Sequence, residues 1–326
     1  MSSPHVAIAL GDPAGIGPEL ALKAATDPRV LAVCTPVLFG ARAALETHAA
    51  SCGIGTRIVT VDRVTDAVAG PDRVALRETG TDAAPQLGAI AAAHGRAALE
   101  AAGAAIDAAL AGEVAAVVAC PQTEAAIHAA GIDFDGYPSF VARRTRTPPE
   151  DAFLMLCFDA TRIVHTTLHV SLARAIALIT RARVGHVLDA AHATLRRLGV
   201  ATPRLAVSGL NPHAGEAGAF GREEIELIAP ALDDAHARGI DAEGPFGTDT
   251  MFHRTGYDAF IVMYHDQGHL AAKLLARNRT AGLTIGTPIL FSSVAHGSAL
   301  DIAGSGQASP EAVIEAIRRV IGAAPC

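Results

Sequence analysis

The sequence predicts an α/β protein of two domains, on three observations. Apolar runs of strand length, bounded by turn residues, alternate with longer helical patterns. Half of the residues are hydrophobic, yet aromatics are only 4% and Trp is absent, so the core is Ala, Val, Leu and Ile, as in sheets buried on both faces. At 326 residues the chain also exceeds the roughly 250–300 residues at which single cores stop growing.

In chain order, strand-like runs fall at 6–10, 33–39, 115–119, 152–157, 162–167, 204–209, 259–263 and 283–285. Helical patterns cover 85–111, 171–198, 222–238 and 309–322, and 68–88 reads as irregular or hairpin-bearing. The alternation predicts mostly parallel sheets covered by helices, with ligand loops at the carboxyl ends of strands. Domain boundaries are placed near 135 and 295: residues 1–135 with 295–326 form one α/β/α domain, residues 136–294 the other, and a cleft separates them.

Composition removes several function classes. The net charge is -7 and no Lys/Arg cluster with interleaved aromatics occurs, so no nucleic-acid partner is expected. Five cysteines (Cys34, Cys52, Cys120, Cys157, Cys326) without a CxxC pair read as free thiols in a reducing compartment, which predicts a cytoplasmic protein. The start of the chain lacks a basic region followed by an apolar run of signal length. The alanine-rich 89–119 stretch is broken by His94, Arg96, Glu100, Asp107 and Glu113, so no membrane span is expected.

Four segments carry chemistry. The first strand runs into Gly11-Asp12-Pro13-Ala14-Gly15-Ile16-Gly17-Pro18-Glu19, a strand-loop-helix that satisfies neither GxGxxG nor GxxxxGK[ST]. It is either a tight glycine turn with Pro18 opening a helix or a loop that touches ligand. Of fourteen histidines, His169, His213 and His265 each lie just after a strand-like run. A lone histidine is usually a hydrogen-bonded structural residue, but three at the ends of parallel strands converge on one sheet edge, where imidazoles suit a divalent metal and leave coordination positions open. His165, His269 and His296 lie close by, and spacing does not choose among them. Arginine outnumbers lysine 24 to 2, which makes the ammonium of Lys273 conspicuous.

These segments, together with Gly209-Leu210-Asn211-Pro212-His213-Ala214-Gly215-Glu216, Tyr264-His265-Asp266-Gln267-Gly268 and His296-Gly297-Ser298-Ala299-Leu300-Asp301-Ile302-Ala303-Gly304, resemble the 4-hydroxythreonine-4-phosphate dehydrogenase family over essentially the whole chain. The resemblance implies an isocitrate/isopropylmalate dehydrogenase-like fold, a small-molecule substrate, NAD, and one divalent metal (Zn, or Mn, Mg, Co or Fe). It puts the metal on His169, His213 and His265, with the third ligand from the partner subunit of a homodimer whose active site is shared across the interface. Lys273 matches a substrate-binding lysine. Asn211, Gly244 and Asp249 are expected at the cofactor, and Lys273, Asp266 and Asp249 in proton transfer.

The departures point to a branch within the family. Where the pyridoxine-pathway enzyme has Gly-His-Thr-Glu, this chain reads Gly136-Tyr137-Pro138-Ser139; where that enzyme has an asparagine and an arginine at its phosphorylated substrate, this chain has Gly282 and Phe291. A phenyl ring cannot replace a bidentate cation at a phosphate. Tyr137, Ser139 and Phe291, with Ala119-Cys120-Pro121 and Ser292-Ser293-Val294, resemble the terephthalate cis-dihydrodiol dehydrogenases. That implies oxidation of a hydroxyl beta to a carboxylate with decarboxylation, giving protocatechuate, CO2 and NADH. The other reading is the vitamin-pathway enzyme or a related sugar-acid phosphate dehydrogenase, with Arg277 or Arg279 binding phosphate.

Overall fold

The computed structural model describes residues 3–80, 83–276, 280–294 and 296–322. Its strands are β1 (His5–Ala9), β2 (Thr35–Gly40), β3 (Arg57–Thr60), β4 (Arg73–Glu78), β5 (Ala116–Ala119), β6 (Phe153–Phe158), β7 (Thr161–His165), β8 (Arg204–Ser208), β9 (Asp241–Phe246), β10 (Ala259–Val262), β11 (Ala281–Ile285) and β12 (Phe291–Val294). The chain divides into two compact units: the first runs to Thr145 and resumes at Pro288, and the second is Arg146–Thr287.

The first unit is a sheet in the order β3-β4-β2-β1-β5-β12, parallel at every pairing. Its inner strands are short apolar runs because both faces are covered: Val6, Ala7, Ile8 and Ala9 of β1 and Ala116 to Ala119 of β5 are all fully buried. The alanine-rich helix Ala92–Leu110 lies over β1 and β2, with Gly95 pressed so close to the Ala126 carbonyl that a Cβ would stand 2.3 Å from it. The glycine thus lets this helix and the helix Glu124–Ala129 approach closely, and the core fills with Leu99, Ile106, Phe39 and Phe291.

The second unit is mixed. Its order is β11-β6-β7-β10-β8-β9, with β11-β6 and β6-β7 antiparallel and β7-β10-β8-β9 parallel. Leu156, Ile163, Ala206, Phe260 and Val262 meet Met251 and Ala272 in its core. The helical pattern at 171–198 is two helices, Leu172–Leu178 and Arg181–Arg197. Ser171 and Thr180 cap them, each hydroxyl accepting from the backbone N–H three residues on, and such caps end the preceding segment. The segment read as irregular holds β4, and β3, β9 and β12 are further strands not foreseen. No helix among the described residues is long and apolar enough to cross a membrane.

Candidate active site

In the first unit β1 is flanked by β2 on one side and β5 on the other, which is the switch point where parallel sheets bind ligands. The glycine loop after β1 is closed by backbone: Asp12 N–H donates to the Pro121 carbonyl at 2.9 Å and Ile16 N–H to the Ser298 carbonyl at 2.9 Å. A Cβ on Gly11 would lie 2.2 Å from Pro121 O, one on Gly17 2.1 Å from Leu10 O, and Gly11 takes φ +70°. These glycines are there for close approach, and Pro18 opens the helix Gly17–Ala25. Beside the loop a cavity of about 340 Å³ is lined by Leu10, Gly11, Pro13, Gly40 and His94.

Tyr137 and Phe291 meet in this unit with ring centroids 4.9 Å apart. Both belong to its core, at 5% and 1% exposure, with Phe134 edge-on to Tyr137 at 5.8 Å. The Tyr137 hydroxyl is buried and makes no hydrogen bond, and burial pushes its pKa up. Ser139, two residues along the helix Tyr137–Thr145, donates its hydroxyl to Asp135 at 2.8 Å.

The second unit carries the histidines. Because β7, β10 and β8 are parallel neighbours, the loops bearing His169, His265 and His213 leave one edge of the sheet. The His169 and His265 rings lie 5.7 Å apart, and His269 stacks on His265 at 3.7 Å with 8° between planes. His269 Nδ1 is 3.1 Å from Nε2 of His165, whose Nδ1 faces the Leu154 carbonyl at 3.3 Å. Burial, with the other imidazoles adding to it, pushes His165 down to about 3 and His269 down to about 4. Both rings are therefore neutral, lone-pair donors at neutral pH. His213 stands apart, its ring 6.3 Å from Phe220. Among the described residues, the three histidines do not come within 4.8 Å of one another as a ligand set in one chain.

Side chains that the sequence reading passed over hold these loops. Gln267 accepts from Met263 N–H at 2.7 Å and donates to the Gly209 carbonyl at 3.1 Å and to Thr248 Oγ1 at 3.2 Å, so one amide ties the ends of β8 and β10 to the segment after β9. Buried Glu224 accepts from Leu210 N–H and Asn211 N–H, both at 2.7 Å, and from the Asn211 amide at 3.0 Å. It steadies a run at 213–217 whose φ values are all positive, 53° at His213, at a cost of about 1–2 kcal/mol for each non-glycine residue. Gln267 stands in the histidine motif itself, whereas Glu224 is thirteen residues from Asn211 with nothing in its spacing to announce it.

The remaining expected site residues have visible local roles. Asp266 Oδ1 lies 2.7 Å from His265 Nδ1, so it fixes that ring with Nε2 as the available donor, the usual carboxylate support of a metal-binding imidazole. Lys273 is exposed two turns beyond His265 on the helix His265–Ala276. Asn211 spends its amide on Glu223 at 2.7 Å and on Glu224. Gly244 is required by the Val207 carbonyl, 2.4 Å from a built Cβ, and Asp249 is exposed in the short helix Thr248–Met251. Arg277 and Arg279 lie outside the described residues.

Fold and site together define the class: an α/β enzyme whose polar groups are carried on loops at the carboxyl ends of parallel strands. The chain belongs to the family described as pyridoxal phosphate biosynthetic protein PdxA, whose model matches residues 32–320, and it is an oxidoreductase of the dehydrogenase kind. It is 40% identical over 98% of both chains to a 1,2-dihydroxy-3,5-cyclohexadiene-1,4-dicarboxylate dehydrogenase of Comamonas sp. Among solved structures it resembles a terephthalate 1,2-cis-dihydrodiol dehydrogenase from Burkholderia xenovorans LB400 (40% identity, TM-score 0.74, 98% of each chain). It also resembles a 4-hydroxythreonine-4-phosphate dehydrogenase from Klebsiella pneumoniae (33% identity, TM-score 0.87, 98% of this chain and 100% of that one). A β-decarboxylating dehydrogenase from Thermococcus kodakarensis (17% identity, TM-score 0.50, 96% and 81%) shares the fold alone.

Proposed function

We propose that this protein is an NAD-dependent, metal-requiring, decarboxylating dehydrogenase that converts terephthalate 1,2-cis-dihydrodiol to protocatechuate, CO2 and NADH. The observation that carries the reading is the Tyr137–Phe291 pair: a phenyl ring, 1% exposed, stands where the resemblance places an arginine at a phosphorylated substrate. With Phe291 packed into the core, that position offers no cation to a phosphate dianion, which favours a substrate without a phosphate. The unpartnered Tyr137 hydroxyl is a buried donor left over for a polar group of the substrate.

The donor set of the second unit fits a divalent metal, since Asp266 braces His265 through Nδ1 and leaves its Nε2 lone pair available. His169, His213 and His265 would hold it, the set being completed by a second copy of the chain. Such a cation would supply Lewis acidity toward the reacting hydroxyl, and NAD would supply the hydride acceptor. Asp266 holds the His265 ring, Lys273 pairs with a substrate carboxylate or returns a proton, and the tied loops of Asn211, Gly244 and Asp249 receive the cofactor. A homodimer is supported by side chains flanking the histidines: Leu172 and Ile176 are 58% and 46% exposed, and Leu270, Leu274 and Leu275 are 61%, 81% and 59% exposed, an apolar surface that a second copy would cover.

The family model and the Klebsiella likeness favour a second reading, oxidation of 4-phosphohydroxythreonine. Purified protein with NAD and a divalent metal, offered each substrate separately while NADH absorbance is followed, separates the two. Turnover of the dihydrodiol alone is the expected result; turnover of the phosphoester alone overturns the proposal.

A further inference from the structure

A second cluster of metal-ligating side chains lies in the first unit, under the glycine loop. A ring nitrogen of His48, a carboxylate oxygen of Glu19 and Sγ of Cys52 lie within 4.8 Å of one another. His48 and Cys52 stand one turn apart on the helix Arg42–Cys52, and Glu19 faces them from the helix Gly17–Ala25. Glu19 and His48 are fully buried. Ligands at about 2.0–2.3 Å around a tetrahedral cation stand roughly 3.3–3.7 Å apart. The Cys52 Sγ to Glu19 Oε2 distance is already 3.4 Å.

Each side chain is prepared for this role. The Lys23 ammonium occupies Glu19 Oε1 at 2.6 Å and donates to the Gly306 and Ala308 carbonyls at 2.8 Å each, and Ala308 N–H also donates to Oε1, at 2.9 Å. Oε2 keeps only the thiol. His48 Nε2 is 3.0 Å from the Pro13 carbonyl, which fixes Nε2–H and leaves Nδ1 a bare lone pair, buried without a partner. Nearby Asp12 is fully buried with Oδ2 also unpartnered. Two carboxylates and one ammonium leave this region one negative charge in excess. A divalent cation bound with Cys52 as thiolate cancels that charge, the thiol proton passing to solvent.

We propose that Glu19, His48 and Cys52 form a second metal site for a zinc-class divalent cation, separate from the three histidines, that clamps the two helices beneath the glycine loop. A thiolate, an imidazole and a carboxylate form a borderline-soft set that selects zinc over magnesium or calcium. The site does not depend on which substrate the enzyme uses.

Cobalt(II) is the probe, because thiolate-to-cobalt charge transfer in the near ultraviolet requires a cysteine ligand and a histidine-only site lacks it. Full-length protein stripped with chelator is titrated with Co2+. The expected band saturates at one equivalent, disappears in Cys52→Ser and persists in the His169→Ala/His265→Ala double variant. Absence of the band in the wild type, its survival in Cys52→Ser, or its loss in the double variant overturns the proposal. If Cys52→Ser does not fold, alkylation of wild-type Cys52 serves: Zn2+ should slow it at least about tenfold, since a coordinated thiolate is no longer a free nucleophile, and an unchanged rate overturns the site.

Discussion

After β1 the chain turns on backbone packing, whereas after β8 and β10 it turns on side chains. In the first unit Gly11, Gly15 and Gly17 let strand ends touch, and the loop is fully buried. In the second, Gln267, Glu224 and Asp266 brace loops whose histidines face outward, His169 and His213 both exposed. Two motifs that look equally functional in the sequence therefore do different work: one sets a close approach, the other presents donors. The difference predicts that damage to the first is read in stability and damage to the second in activity.

The largest effect is expected at the presented donors. His169→Ala and His265→Ala should each lower turnover by about 10³-fold or more, roughly 4 kcal/mol, because a missing ligand removes the Lewis acid. His169 is exposed and His265 half-buried, neither in a core, so unfolding free energy should stay within about 1 kcal/mol of wild type. Because the proposed site draws ligands from two copies, mixing the two inactive variants should restore part of the activity through hybrid dimers. Activity that never returns on mixing would mean that His169 and His265 act from the same chain, as their 5.7 Å ring separation allows. In the first unit the reverse is expected: Gly17→Ala drives a methyl to 2.1 Å from the Leu10 carbonyl and should cost about 3 kcal/mol in denaturant unfolding. A near-neutral result there would show that the loop yields and that the contrast between the units is false.

Asp266→Asn sharpens the comparison at smaller scale. It keeps the shape beside His265 Nδ1 but removes the carboxylate charge, and metal affinity measured by chelator competition should fall about 10–100-fold with little change in stability. If affinity is unchanged, His265 is oriented by its stack with His269 instead.

Much of this frame was legible in the sequence because buried parallel strands need unbroken apolar runs, and β1, β5, β8 and β10 have them. Two of the strands that escaped lacked that requirement. β3 and β9 are edge strands: Arg57-Ile58-Val59-Thr60 is mostly exposed, and β9 contains Gly244-Pro245, which an edge tolerates because no ladder hydrogen bond is lost on its open side. β12 hides two serines in its middle. The histidine loops could be read because motif and strand end coincide. The burial of Tyr137 and Phe291 in the core could not, since a sequence shows which residues are aromatic but not which rings meet.

The smallest effect concerns pH. His165 is neutral in the fold and held down at about 3, against an ordinary imidazole value near 6.5 in the unfolded chain. Above pH 6.5 neither state carries the proton, so the ring adds no pH dependence. Below it the unfolded chain binds a proton that the fold refuses, and stability declines as pH falls from about 6.5 toward 3, by at most about 1.4 kcal/mol per pH unit for this group. His48 in the first unit, also lowered by burial, bends the curve the same way. Urea unfolding at pH 7.5 and pH 5 should therefore show a loss that His165→Gln reduces. The glutamine amide cannot be protonated, yet its oxygen can still accept from His269. An identical loss in the variant would take the acid sensitivity away from His165 and leave it to the other imidazoles that burial holds down, His269 in the second unit and His48 in the first.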